Sequence, residues 1–206
     1  MNQQMLLLIV PITYLVGSIP VGLIIGKVKS GIDIRKHGSQ STGATNALRI
    51  LGTKSAILVL VLDFLKGAIP IFCIMLINEI NSNNAILIAI CGIAIIFGHN
   101  WPIFAGFKGG KGVASAVGIA AVLNPLSALA AILTFLPILF TTKYVSLGSI
   151  FGAIVAMIIL IVQSISEIND YSYIYALVVG PLLVIKHHEN IRRLINGNER
   201  KFGEKV

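Results

Sequence analysis

Residues 147–165 read LGSIFGAIVAMIILIVQSI, nineteen residues without a charged side chain. A helix needs about 20 mostly apolar residues to cross a bilayer, so this stretch predicts a transmembrane helix. The whole 206-residue chain has the same character, with 56% hydrophobic residues, 12% charged residues and a mean hydropathy of +0.90. A soluble domain is about half apolar and about a quarter charged. We therefore expect one all-α integral membrane domain over residues 1–206, and not a soluble two-domain enzyme.

Seven apolar runs predict about seven transmembrane helices. They cover residues 5–25, 55–77, 85–104, 112–124, 126–141, 147–165 and 171–186. The fourth and fifth runs are short and are divided by Asn124-Pro125. Because proline disfavours helix in the preceding residue and 112–141 is too long for one crossing, we expect a turn there. No basic segment precedes the first run, which contains Pro11 and Pro20. We expect a retained span and not a cleaved signal peptide.

Lysine and arginine fall on alternate connections between the runs. With the N-terminus outside, 15 of the 16 basic residues lie on inner segments, which are 26–54, 105–111, 142–146 and 186–206. The sixteenth is Lys66, within the second run. The outer connections, near 78–84, 125 and 166–170, contain only the charged residues Glu79, Glu167 and Asp170. Basic residues mark cytoplasmic connections. We therefore expect a cytoplasmic C-terminus, and we interpret the net charge of +8 as a topology signal and not as nucleic-acid binding.

Two pairs of polar or reactive residues lie inside the apolar runs. Asp63 and Lys66 are three residues apart in the second run, where charges are costly and must pair or face the interior of the bundle. A structural ion pair and a role in the functional site both remain open. Cys73 and Cys91 have no CxxC or Cys/His pattern, which indicates packing residues.

The inner segments are rich in groups that bind anions. Residues 37–49, here called loop one, read HGSQSTGATNALR, and residues 106–112, here called loop two, read GFKGGKG. Glycines let backbone N–H groups converge on an anion, and lysine adds positive charge. This pattern favours phosphate binding, but it lacks the GxxxxGK[ST] spacing of an ATPase. Two alternatives remain. Loop one could be a plain connector. Loop two could be an interfacial turn whose lysines reach to the lipid headgroups.

Two more inner segments add polar groups on the same side. Residues 143–149 read KYVSLGS, and residues 187–193 read HHENIRR. On a helix, His187 and Asn190 share a face that Arg193 extends, whereas His188 lies on another face. Two adjacent histidines cannot both reach one ion from a regular helix, so we do not expect a metal site. Membrane anchoring remains the alternative for the two arginines.

These segments together resemble a known family, that of the bacterial acyl-phosphate:glycerol-3-phosphate acyltransferases, often called PlsY. The resemblance runs in chain order through 17–20 (GSIP), 38–49 (GSQSTGATNALR), 63–67 (DFLKG), 98–104 (GHNWPIF), 107–114 (FKGGKGVA), 144–147 (YVSL), 187–193 (HHENIRR) and 199–203 (ERKFG). Several of these motifs are long and spaced alike, so the resemblance is specific and covers nearly the whole chain.

The resemblance implies transfer of a fatty acyl group from acyl-phosphate to the 1-hydroxyl of glycerol 3-phosphate. The products would be lysophosphatidic acid and phosphate, in the first step of phospholipid synthesis at the cytoplasmic face of the bacterial inner membrane. Neither a metal nor an organic cofactor is implied, and the oligomeric state is left open. By resemblance, the catalytic residues are Ser39, Arg49, Lys111, His187 and Asn190. The substrate-binding residues would be Thr45, Asn46, Gly109, Gly110 and Ser146.

One position departs from the family pattern. The family usually has Gly-Asn after the first serine of loop one, and this chain has Gln40-Ser41. If the backbone there needs a positive φ, glutamine is strained.

The chemistry of these residues suggests a mechanism with alternatives. Arg49 and Lys111 are suited to hold phosphate groups, and a gap between helices would admit the acyl chain from the bilayer. The proton of the attacking hydroxyl could pass to His187 or to an oxygen of the acyl-phosphate, and we favour the second route. The competing class is a small transporter of an anionic phosphorylated metabolite, which would also place polar groups at membrane depth. No internal repeat supports a transporter.

Overall fold

The computed structural model describes residues 3–77, 82–166 and 172–204, and the regular structure within those ranges is helical. The α-helices are α1 (Gln3–Gly17), α2 (Val21–Ser30), α3 (Ala44–Leu51), α4 (Thr53–Ile77), α5 (Ser82–Asn100), α6 (Val113–Leu123), α7 (Pro125–Thr142), α8 (Val145–Ser166), α9 (Ser172–Lys186) and α10 (His188–Ile195). Short 3-10 turns cover Ile34–Lys36 and Ile103–Ala105.

Five segments are long and apolar enough to cross a membrane. They are Leu8–Ser30, Thr53–Ile77, Ala85–Ala105, Pro125–Thr142 and Val145–Ser166. Helices α6 and α9 coincide with the predicted fourth and seventh runs but have only 11 and 15 residues. The all-α membrane fold is confirmed, whereas the count of seven spans stays a prediction. The predicted outer residues Glu79, Glu167 and Asp170 lie outside the described residues.

The first predicted span, residues 5–25, consists of two helices that share the candidate span Leu8–Ser30. Helix α1 ends at Gly17 and α2 begins at Val21, with Pro20 before it. Proline has no N–H to continue the helical ladder, so the break exposes backbone carbonyls at membrane depth. The Lys66 ammonium donates to one of them, the Ile19 carbonyl, at 2.9 Å. The intramembrane lysine therefore compensates a broken helix on its neighbour.

The predicted turn at Asn124-Pro125 is confirmed. Asn124 has an extended backbone (φ −155°, ψ 93°), and its side chain accepts a 2.9 Å hydrogen bond from the Ser127 N–H. Pro125 takes the first position of α7, where a missing N–H costs nothing. An N-cap and an N1 proline together make two helices out of one apolar run.

Small residues bring the helices together. A Cβ on Gly67 would lie 2.3 Å from the Ser115 carbonyl oxygen, and one on Gly118 would lie 2.2 Å from the Phe64 carbonyl oxygen. Helices α4 and α6 thus touch backbone to backbone, which is the usual packing of helices in lipid. Large apolar side chains cover the outside of the bundle, among them Ile69, Phe72, Leu133, Phe140 and Val162. Such an apolar exterior fits a hydrocarbon solvent.

Candidate active site

Lys111, Asn190 and Glu199 form a chain of side chains that joins loop two to the C-terminal segment. The Lys111 ammonium donates to the Asn190 side-chain oxygen. The Asn190 nitrogen donates in turn to Glu199 Oε1 at 2.6 Å. Loop two and α10 lie 79 residues apart in sequence, so only the fold brings them together. Both the oxygen and the nitrogen of the Asn190 amide are hydrogen-bonded, so the position of the Lys111 ammonium is fixed relative to Glu199.

Glu199 is the centre of this network. Its carboxylate also accepts hydrogen bonds from the Ser146 hydroxyl at 2.8 Å and from Arg193 Nε at 2.8 Å. Burial alone would raise the pKa of Glu199, but the hydrogen bonds from Arg193, Asn190 and Ser146 lower it below its ordinary value. The backbone adds one more tie, because the Phe202 N–H donates to the Lys143 carbonyl at 2.7 Å. The segment after α10 therefore closes against the start of α8.

Lys111 sits in a partly desolvated position. Burial lowers its pKa from 10.5 to about 8, and nearby Arg193 and Arg49 lower it while Glu199 and Glu189 raise it. The ammonium is still mostly protonated at neutral pH. It therefore supplies a positive charge in a site where little water weakens it.

The glycines of loop two are required by close packing on His99. A Cβ on Gly109 would lie 2.1 Å from the His99 carbonyl oxygen, and one on Gly110 would lie 2.3 Å from His99 Nε2. The Gly110 N–H donates to the His99 carbonyl at 3.1 Å. That amide is therefore not free for an anion, contrary to the expectation that both glycine amides converge on one. A substrate contact through Gly109 stays a prediction.

Asn46 organises loop one from within. Its side-chain nitrogen donates to the carbonyls of Ile34 (2.9 Å), His37 (3.2 Å) and Ser41 (2.9 Å). Its oxygen accepts the Ser39 N–H at 2.9 Å, and the residue is 1% exposed. A buried amide that uses both of its ends in this way specifies a single loop conformation. The predicted direct contact of Asn46 with substrate stays a prediction.

The side chains of Ser39, Thr45 and Arg49 take no part in this internal network among the described residues. The hydroxyls of Ser39 and Thr45 are partly exposed and make no hydrogen bond to the part of the chain that the structure describes. Arg49 lines a cleft of about 510 Å³ with Lys36, His37 and Gly38. Burial lowers the pKa of Arg49, and so do Arg200 and Arg193, whereas Glu199 raises it. Arg49 thus belongs to the same electrostatic site as Lys111.

Gln40 adopts the backbone conformation that its position in the family pattern suggested. Its φ is +56°, in the left-handed region that costs a residue with a Cβ about 1–2 kcal/mol. The Gln40 N–H still donates to the His37 carbonyl at 3.0 Å, so the turn is closed. The expected strain at this position is confirmed.

Replacing Gln40 by glycine is expected to raise the thermal unfolding midpoint, because glycine adopts a positive φ without strain. The gain should be about 0.5–1 kcal/mol, since the freer unfolded chain offsets part of the relief. The matched control is Gln40→Ala, which removes the amide but keeps the Cβ. Equal midpoints for the two variants in the same detergent would contradict this explanation.

His187 lies where α9 turns into α10 and is 3% exposed. Its Nδ1 lies 2.7 Å from the Leu183 carbonyl oxygen, so Nδ1 carries the proton and Nε2 is left as an acceptor. Burial and, second to it, the Lys111 charge lower the pKa of His187 from 6.5 to about 4. The imidazole is therefore neutral at physiological pH and suited to accept a hydrogen bond from a hydroxyl.

A second polar cluster lies behind loop two, within the helices. Lys66 Nζ is 2.8 Å from Asp63 Oδ1, which confirms the expected intramembrane pair. His99 Nδ1 lies 3.7 Å from the same carboxylate oxygen and 3.3 Å from the Ser115 hydroxyl. Ser115 donates to the Asp63 carbonyl at 2.8 Å. Gly109 and Gly110 also pack against His99. This cluster therefore supports the position of loop two.

Sequence reasoning did not select Glu199 or His99 as site residues. Glu199 is one of three acids in the cationic segment 186–206, with Glu189 and Glu204. Its place in the family-like stretch 199–203 was the available signal. His99 carried no such signal, because its contact with the loop-two glycines depends on how α5 and α6 pack.

The chain is similar to known glycerol-3-phosphate acyltransferases. The family model described as glycerol-3-phosphate acyltransferase matches residues 7–197. The glycerol-3-phosphate acyltransferase of Alkaliphilus metalliredigens is 43% identical over 200 residues, covering 97% of each chain. That of Aquifex aeolicus is 42% identical over 196 residues, covering 95% of this chain and 98% of its own.

Two crystal structures of PlsY, an integral membrane glycerol 3-phosphate acyltransferase, share the fold. Its glycerol 3-phosphate form superposes with a TM-score of 0.87 at 42% identity and covers 96% of both chains. Its lysophosphatidic acid form gives 0.85 at 41% identity, covering 96% of this chain and 95% of that one. These findings favour the enzyme over the transporter. The chain belongs to the glycerol-3-phosphate acyltransferase family and is an integral membrane enzyme that transfers an acyl group to glycerol 3-phosphate.

Proposed function

We propose that the acyl donor is acyl-phosphate, so that both substrates bring a phosphate group to the site. The supporting observation is the excess of positive charge around one buried carboxylate. Arg49 and Lys111 each lie within electrostatic range of Arg193 and Glu199, and Arg49 lies within range of Arg200 as well. Such a site is suited to hold two phosphate groups near each other.

In the proposed reaction, the 1-hydroxyl oxygen of glycerol 3-phosphate attacks the carbonyl carbon of the acyl-phosphate. A carbon–oxygen ester bond forms, and the carbon–oxygen bond to phosphate breaks. The products are lysophosphatidic acid and inorganic phosphate. The donor is already activated, so holding both substrates in line supplies much of the rate. Lys111 and Arg49 would stabilise the negative charge that gathers on the departing phosphate.

The proton of the hydroxyl is proposed to leave with the phosphate. A base with a pKa of about 4, as in His187, accepts a proton poorly at neutral pH. An oxygen of the departing phosphate is a better acceptor, because it becomes more basic as its bond to the acyl carbon breaks. His187 would then orient the glycerol through its free Nε2, which makes its role one of binding.

Replacing His187 by alanine should therefore raise KM for glycerol 3-phosphate by about tenfold, the value of one lost neutral hydrogen bond. The turnover number should stay within about tenfold of the wild type, whereas loss of a general base costs about 100-fold or more. Initial rates at saturating glycerol 3-phosphate separate the two. The neighbouring His188→Ala, which removes an exposed histidine, is the control. A 100-fold fall in kcat would instead show that His187 acts as the general base.

The remaining site residues divide into three groups. We propose that Ser39, Thr45 and Arg49 contact substrate, because their polar groups are not used within the described fold. Asn46, Ser146 and Asn190 would act as positioning residues, since their side chains are committed to loop one or to Glu199. Gly109 and Gly110 would serve by allowing loop two to approach His99.

The donor is tested with the purified full-length chain in lipid vesicles. Palmitoyl-phosphate, palmitoyl-CoA and palmitoyl-acyl-carrier protein are each offered with labelled glycerol 3-phosphate, and lysophosphatidic acid and phosphate are followed. We expect product from palmitoyl-phosphate alone, with one phosphate released per acyl transfer. Turnover with a thioester donor and none with palmitoyl-phosphate would overturn the proposal.

We also propose that the site faces the cytoplasm of a bacterial inner membrane, with the N-terminus outside and the C-terminus inside. The support is the concentration of lysine and arginine on the segments that build the site. A single cysteine introduced at Lys201 should react with an impermeant maleimide only after the cells are permeabilised. Labelling of intact spheroplasts would reverse the orientation.

A further inference from the structure

Arg35 joins the segment before loop one to the turn that begins loop two. Its guanidinium is gripped by Asp33, with Nε 3.0 Å from Oδ1 and Nη2 2.8 Å from Oδ2. Asp33 Oδ1 also accepts the Arg35 backbone N–H at 2.9 Å. From this fixed fork, Nη1 donates to the Ala105 carbonyl at 2.6 Å and reaches the Lys108 carbonyl at 3.5 Å. The contact spans 70 residues of sequence.

The turn that Arg35 holds is a strained one. Gly106 has φ +62° and Phe107 has φ +60°, and a bulky aromatic residue rarely adopts such an angle. The Phe107 N–H donates to the Pro102 carbonyl at 2.9 Å, which closes the turn. Strain of this kind costs about 1–3 kcal/mol and persists only where the surroundings impose it. Arg35 is the described side chain that donates to the carbonyls on either side of this turn.

The position of the turn connects it to catalysis. It leads directly into Gly109, Gly110 and Lys111, and the Gly110 N–H donates to the His99 carbonyl at 3.1 Å. Arg35 is neutralised by Asp33, whereas Arg49 has no carboxylate partner within 4.0 Å in the described part of the chain. The guanidinium of Arg35 is thus used to hold the turn, whereas that of Arg49 remains available to bind an anion.

We propose that Arg35, oriented by Asp33, is a positioning residue that fixes loop two so that Lys111 is placed before substrate arrives. This inference rests on the proposed role of Lys111 in holding phosphate. Without the clamp, the turn would relax and Lys111 would have to be ordered during binding. The ordering cost then appears in the affinity for glycerol 3-phosphate, while the bound phosphate still draws Lys111 into place for the chemical step.

The test compares Arg35→Gln with Lys54→Gln in the full chain in lipid. Lys54 is an exposed lysine at the start of α4, so its replacement makes the same change of charge. For Arg35→Gln we expect KM for glycerol 3-phosphate to rise about tenfold and kcat to change less than about threefold. Amide hydrogen exchange of the peptide 103–111 should become faster than in the wild type, and that of α8 should not. Lys54→Gln should match the wild type in each measurement.

Two results would overturn the clamp: an unchanged KM in a folded Arg35→Gln protein, or faster exchange throughout the chain. If Arg35→Gln does not fold, Asp33→Asn replaces it, because that change frees Arg35 while leaving its charge. The expected KM rise is then smaller but of the same sign, and no rise overturns the proposal. If the wild-type enzyme gives no product with palmitoyl-phosphate, the proposal that acyl-phosphate is the donor fails. The hydrogen-exchange rates of residues 103–111 in Arg35→Gln would still test whether Arg35 holds the turn.

Discussion

Replacing Lys111 by alanine is expected to lower kcat/KM for glycerol 3-phosphate by about 100- to 1,000-fold, the usual cost of losing one charge-stabilising group in a dry site. The physical reason is that the ammonium is held by Asn190 in a partly desolvated position, where its charge is weakly screened. The measurement is the initial rate of lysophosphatidic acid formation by variants with unchanged thermal midpoints. Lys108→Ala, which removes an exposed lysine three residues away, is the matched control.

The same residue predicts how activity depends on pH. The pKa of Lys111 is lowered to about 8, so the ammonium loses its proton as the pH rises through that value. If the charged form binds phosphate, kcat/KM falls above about pH 8, and Lys111→Arg moves that fall to higher pH because arginine stays charged. A Lys111→Ala protein that keeps more than a tenth of the wild-type kcat/KM would contradict the assignment.

Replacing Glu199 by glutamine should reduce both stability and activity. An amide supplies one acceptor where the carboxylate serves Ser146, Asn190 and Arg193, and it leaves the Arg193 charge without its closest partner. Hydrogen bonds to a charged group contribute about 1.5–3 kcal/mol each, so a loss of about 2–3 kcal/mol is expected. We also expect kcat/KM to fall about tenfold or more, because a freed Asn190 no longer fixes Lys111.

The control for Glu199 is Glu189→Gln, which removes an exposed acid 3.7 Å from the same arginine and should cost less than about 0.5 kcal/mol. The pH dependence gives a second check. The folded pKa of Glu199 lies below its ordinary value, so its stabilisation is present above the unfolded pKa and is lost as the pH falls through the folded one. That acid-side loss should be smaller in Glu199→Gln. Equal melting curves for the two variants would remove Glu199 from the centre of the site.

The sequence predicted the helices where composition alone decides them. The charge-free run of α8 and the cap at Asn124 before Pro125 need only local chemistry, and both are observed. The break at Ser18–Pro20 was missed, because the run is apolar on both sides and Lys66, which donates to the Ile19 carbonyl at the break, lies on another helix. A hydropathy profile cannot predict a contact between two helices.

For the site, the sequence identified which residues carry suitable chemistry but not which of them touch one another. Lys111 and Asn190 were selected, and the structure joins them. Asn46 was selected as a substrate ligand, yet its amide is used to build loop one. Glu199 was not selected, because its importance comes from three donors on α8 and α10 that meet only in the folded chain. Residue type predicts chemistry, whereas the division into binding and positioning depends on tertiary contacts.

The attachment of residues 199–204 to the start of α8 has a practical consequence for handling this enzyme. Cutting the chain after Asn198 would leave the sequence of every α-helix described above intact and still remove the Glu199 carboxylate and the Phe202 contact with Lys143. An expression trial that judges such a protein by yield or helicity would accept it as intact. Affinity tags and reporter fusions therefore need a flexible spacer beyond this segment, and carboxypeptidase contamination during purification would first be noticed as lost turnover.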